Sequence, residues 1–130
     1  MKIDAFITPY FLETENQFKD SLVVMIDVLR AGTSICSALH SGAKEVIPVE
    51  STEKAVHIYS SLSKETRFLG GERQCEKPSG FDAGNSPSEY GEEAVKDKTV
   101  IISTTNGTKL FMKAKQSKQK IIGAFVNMDA

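Results

Sequence analysis

The chain has 130 residues, 40% hydrophobic and 25% charged, with a formal net charge of −1. That length sets a single domain, residues 1–130, able to bury a core without staples, and the near-neutral balance excludes a general nucleic-acid binder, which carries a basic face. Two cysteines, Cys36 and Cys75, are too few for a disulfide framework, and with His40 and His57 they do not form the two spaced ligand pairs of a zinc site.

In chain order, residues 3–8 read as a short apolar strand, and residues 22–28, LVVMIDV, as a β-branched run holding one acid. Residues 33–39 have helical character, with Gly42 as the stop. Residues 45–49 form a strand, and Ser51 caps a helix to about residue 62, with Ala55, Val56, Tyr59 and Leu62 on one face. Residues 67–69 form a strand that enters GGERQCEKPSGFDAGNSP, residues 70–87. Loops of this length in a compact domain are functional or disordered; Phe81 and the Ser86–Glu89 capping box look like anchors, and the box launches a short helix. Residues 99–102 are a strand, 107–114 a helix and 120–126 a last strand, while Lys113, Lys115, Lys118 and Lys120 make a solvated helix end and connector.

This alternation predicts an α/β fold, a largely parallel sheet with helices on both faces in three layers. The chain stops straight after a strand, where a covering helix is usual. The expectation is therefore a fold incomplete at the C-terminus, the N-terminal part of something longer. With no signal-peptide pattern and no apolar run long enough for a bilayer, a cytoplasmic protein without a membrane partner is expected. Self-association is left open.

Ligands of an open α/β sheet bind outside the carboxyl ends of its strands, and three unusual segments fall there. The first is IDVLRAGTS, residues 26–34. Asp27 lies at an apolar strand end and needs a partner: Arg30, a metal ion or several backbone N–H groups. Thr33 and Ser34 stand at a helix start, whose free N–H groups suit phosphate. The second is STTNGT, residues 103–108. Thr104, Thr105, Asn106 and Thr108 supply hydroxyl and amide donors, and Gly107 permits close backbone approach. Each segment alone reads equally as an N-cap and a turn; together they hold more hydroxyls than capping needs, which points to an anion gripped between them. The third is the 70–87 loop. Its acids Glu72, Glu76 and Asp82 suit a hard divalent cation such as magnesium, and Arg73 suits phosphate or sulfonate oxygens. A solvated excursion is the alternative reading.

Familiar phosphatase signatures do not fit. The Asp-x-Asp of the haloacid-dehalogenase class fails at Leu29, neither cysteine has an arginine closing a phosphate loop, and no Walker Gly-Lys-Ser/Thr is present. Taken together, however, IDVLRAGTSI, LGGERQCEKPSGFDAGNSPSE and STTNGT, with GAKEVIPVE between the first two, resemble the motifs of the 2-phosphosulfolactate phosphatases from about residue 22 to residue 127. The resemblance implies a magnesium-dependent hydrolase that converts 2-phosphosulfolactate, a small anionic phosphoester, to 3-sulfolactate and phosphate, a step toward coenzyme M. It implies catalytic roles for Asp27, Arg30 and Asp82, and a metal set of Asp27, Glu72 and Asp82. Thr33, Ser34, Arg73, Asn85, Thr104, Thr105, Asn106, Gly107 and Thr108 would bind substrate. Two departures stand out: Gly32-Thr33-Ser34 replaces a threonine run, and Gln74-Cys75-Glu76 replaces a small, glycine-containing step. The rival reading is a non-catalytic module that binds phosphate or a phosphorylated metabolite.

Overall fold

A computed structural model describes residues 2–8 and 18–129. The elements are β1 (Leu22–Ile26), α1 (Ala31–His40), β2 (Glu45–Val49), α2 (Thr52–Ser61), β3 (Arg67–Gly71), α3 (Glu92–Val95), β4 (Thr99–Ser103), α4 (Gly107–Lys113) and β5 (Gln119–Gly123). Every ladder is parallel, as the continuous apolar strands predict. The strands divide into two sheets, β2–β4–β3 and the pair β1–β5.

The free edge of β3 explains part of that division. The amides of Asp82 and Ala83 donate to Leu69 O at 2.8 and 3.1 Å, and Gly71 N–H reaches the carbonyls of Ala83 and Gly84. The returning 70–87 loop thus occupies an edge that another strand would need. On the opposite edge strand, β2, Pro48 has no amide to give and sits where proline is tolerated.

β4 is buried along its whole length, and its alternation sets three layers. Val100 and Ile102 point with Phe68 toward Ile35 and Ala38 of α1 and Val95 of α3. Ile101 points with Leu69 and Val49 the other way, toward Ala55 of α2. The helices therefore cover both faces of the three-stranded sheet. α2 begins as expected, with Ser51 Oγ accepting the Lys54 amide at 3.2 Å, but Val56 is exposed and Ile58 takes its place against the core. α1 ends on Gly42, whose φ of +87° suits glycine, with the Ala43 amide bonded back to Ala38 O at 3.0 Å.

The long loop is ordered by burial. Phe81 enters one core cluster and Ala83 the other. Glu89 accepts the amides of Gly84 and Ser86 at 3.0 and 3.1 Å, and the buried Tyr90 hydroxyl donates to Gly84 O at 2.6 Å. Burial pushes the Tyr90 phenol well above its ordinary range.

Two expected elements differ. Residues 2–8 form no strand: Ile3 and Ile7 are exposed and no ladder is made there. The last strand stops at Gly123, and Phe125–Asn127 turns instead, with Asn127 Oδ1 accepting the Ala124 amide at 2.8 Å. Among the described residues no helix is long and apolar enough to cross a membrane.

Candidate active site

The carboxyl ends of β1, β3 and β4 surround a pocket of about 190 Å³. Asp27, Arg30 and Ala31 line the side after β1; Glu72, Gln74 and Cys75 line the side after β3; Thr104 to Gly107 form the side after β4, and Asn85 completes it. All three segments singled out in the sequence meet here, at the carboxyl ends of strands from both sheets.

Burial raises the Asp27 carboxyl above its ordinary value; the Ala31 amide opposes the shift and the Glu72 charge adds to it. Gly107 makes the approach to Asp27 possible, since a Cβ there would lie 2.7 Å from Asp27 Oδ2. The Arg30 side chain makes no hydrogen bond or ion pair among the described residues, so its fork is open to a ligand.

Glu72 is the reverse case. Burial works to raise it, but hydrogen bonds outweigh that and hold it below its ordinary value. The Thr105 amide donates to Oε1 at 2.6 Å, while the Cys75 amide and the Thr105 hydroxyl donate to Oε2 at 2.9 and 3.0 Å. Arg73 helps electrostatically, yet its guanidinium is itself engaged with Ser103 Oγ at 2.8 Å and with the carbonyls of Glu50 and Glu72, each at 3.1 Å. Arg73 ties the loop to the ends of β2 and β4 and is not part of the pocket lining.

Several other expected ligands act as braces. Ser34 Oγ donates to Asn85 O at 3.0 Å, Thr33 Oγ1 to Val28 O at 2.6 Å and Thr108 Oγ1 to Thr104 O at 2.8 Å. Asp82 Oδ2 accepts the Leu69 amide at 2.8 Å and extends the β3 edge, away from the pocket lining. Asn85 does face the pocket, and its Oδ1 is buried without a partner among the described residues, an acceptor that calls for a donor from a ligand or water.

Sequence reasoning missed Gln74 and Cys75 as wall residues. The Arg73 amide donates to Glu76 O at 2.9 Å and the Glu76 amide donates back at 3.1 Å, closing a two-residue turn with Gln74 at φ +53° and Cys75 at +67°. Such a turn ordinarily carries Asn-Gly or Asp-Gly, so Gln-Cys gave no turn signal.

No group of three or more His, Cys, Asp or Glu side chains among the described residues comes together to hold a metal ion. The donor set in the pocket is two carboxylates. Oε2 of Glu72 takes two hydrogen bonds and Oε1 one, which leaves a lone pair on Oε1, and Asp27 feels the Glu72 charge. Two mutually repelling carboxylates fit a magnesium ion that would keep several waters and take its remaining ligands from phosphate.

A family model described as 2-phosphosulpholactate phosphatase matches residues 6–130. The chain belongs to this family. A probable 2-phosphosulfolactate phosphatase of Clostridium beijerinckii is 42% identical over 127 residues, covering 98% of this chain and 53% of the relative. Another from Caldanaerobacter subterraneus is 44% identical over 116 residues, 89% of this chain and 48% of the relative. A third from Clostridium botulinum is 41% identical over 130 residues, the whole of this chain and 54% of the relative. The chain spans about half the length of the curated relatives it matches. The segments that resemble 2-phosphosulfolactate phosphatases in sequence are the ones that build the three strand-end walls of the pocket.

Proposed function

We propose that this pocket is a phosphatase site acting on a small acidic phosphoester, by family 2-phosphosulfolactate. The reaction would release phosphate and leave 3-sulfolactate, a step toward coenzyme M in organisms that make it. The observation that carries the reading is the open guanidinium of Arg30 beside Asp27 and Glu72 in one pocket, next to the start of α4. Arg30 would fork onto phosphoryl oxygens.

Magnesium would be held by Asp27 and by the remaining lone pair of Glu72 Oε1. Bound there, it would draw charge from the phosphoryl oxygens. Glu72 meanwhile keeps the Cys75 turn and Thr105 in register, and Ser34 holds the Asn85 segment against α1. Asp82, engaged with Leu69, stands outside the proposed metal set. A cytoplasmic location accords with a small charged metabolite as substrate.

The test is phosphate release from 2-phosphosulfolactate with and without magnesium, by this chain and by the Clostridium beijerinckii relative. Magnesium-dependent release supports the reading. No release by either protein, with the ligand still protecting this chain against thermal unfolding, would make it a phosphometabolite-binding module instead.

A further inference from the structure

The two sheets are covered differently. β2–β4–β3 has helices on both faces, whereas among the described residues β1–β5 is packed on one face only. Met25 and Ile122, paired in the ladder, turn toward the interior. On the other face Leu22, Val24 and Ile26 are 54%, 50% and 69% exposed, and Ile121, paired with Val24, is 40% exposed. Gly123 completes this surface; a Cβ on it would lie 3.3 Å from the Val24 side chain and 3.4 Å from that of Ile26. The result is one apolar strip along two strands. Parallel strands that are apolar on both faces belong to sheets covered on both faces, and a contiguous exposed strip of this kind marks an interaction surface.

We propose that the uncovered face of β1–β5 is the docking surface for the portion of the longer family members that lies outside the region shared with this chain. The shared region is 53%, 48% and 54% of the three relatives, so each carries about as much chain again, enough to supply an apolar covering layer. The position also connects the surface to the pocket. Ile26 directly precedes Asp27, and Leu29, 88% exposed, lines the pocket. A layer seated on Ile26 would reach the pocket mouth.

The experiment places Val24→Cys or Ile121→Cys in this chain, and cysteine at the aligned positions of the Clostridium beijerinckii relative. Native-state alkylation at each position is read by peptide mass, and copy number by light scattering. The proposal expects exposed-thiol rates in this chain as a single copy, and rates slower by about 100-fold or more in the relative. Equal rates in the two proteins overturn it. Slow labelling in this chain also overturns it: a two-copy mass assigns the strip to self-contact, a one-copy mass to residues of the same chain. A second variant is independent of labelling. Val24→Glu should move the thermal midpoint of this chain by no more than about 2 °C and lower that of the relative by about 5 °C or more. Small, equal shifts in both overturn the proposal.

Discussion

Asp27 with Arg30 on one wall of the pocket, and Glu72 on the other with its neighbour Arg73 outside the lining, are the same chemical pair placed twice, an acid and a guanidinium within three residues of each other. Their surroundings separate them. Glu72 accepts three hydrogen bonds and Arg73 donates three, so both are committed to holding loops together. Asp27 has the Ala31 amide, and the Arg30 guanidinium has no partner among the described residues. The buried acid with many donors is pushed below its ordinary value, and the acid with few is pushed above it. The composition of a pocket therefore does not say which groups act; the hydrogen bonds they already make do.

The largest expected effect falls on the uncommitted wall. Arg30→Ala should reduce phosphate release by about 10²–10³-fold, the scale of losing a positioned donor to developing charge. It should leave the thermal midpoint nearly unchanged, since no hydrogen bond is broken. A variant that instead unfolds would give Arg30 a structural duty and erase the contrast.

On the committed wall the expected effect is on stability. Glu72→Gln replaces an acceptor oxygen with a donor group facing N–H and O–H groups, which should cost about 2 kcal/mol and lower the midpoint by about 5 °C. The pH dependence follows from the direction of its shift. A carboxyl held low in the fold contributes stability above its unfolded value, about pH 4.3, and loses it as pH falls through the folded value. The gap between wild type and Glu72→Gln should therefore narrow below about pH 4 in thermal melts. A gap constant with pH would mean that packing, not charge, holds Glu72.

Arg73→Ala should cost about 1–2 kcal/mol through its lost bonds to Glu50 and Ser103, while phosphate release at saturating substrate persists. Loss of turnover without loss of stability would move Arg73 to the acting wall. The smallest effect is at Gln74, whose φ of +53° favours glycine. Gln74→Gly should raise stability by up to about 1 kcal/mol, and a fall in denaturant midpoint would reveal a side-chain contact that offsets the backbone.

The order of elements was legible because β4, TVIIS, is apolar enough for two faces, and because Ser51 and Gly42 are strong local signals. The three pocket segments were legible because they carry polar residues at strand ends. What single residues do there was not. Thr33, Ser34, Thr108 and Asp82 have the chemistry of ligands, but each finds a backbone partner through tertiary contacts that sequence does not display. The division into two sheets was equally hidden, since part of it lies in the 82–84 segment folding back onto the β3 edge.

Asp27→Asn tests the central claim most directly, measured as the rate of phosphate release from 2-phosphosulfolactate with magnesium, in this chain and at the aligned position of the Clostridium beijerinckii relative. Burial raises the Asp27 carboxyl, so its contribution to stability is present below the unfolded value and lost as pH rises through the folded one. At pH 7 the asparagine variant should melt at the same temperature as the parent or higher. The account predicts that release falls by about 10³-fold or more while the fold holds. Turnover unchanged from the parent would contradict it.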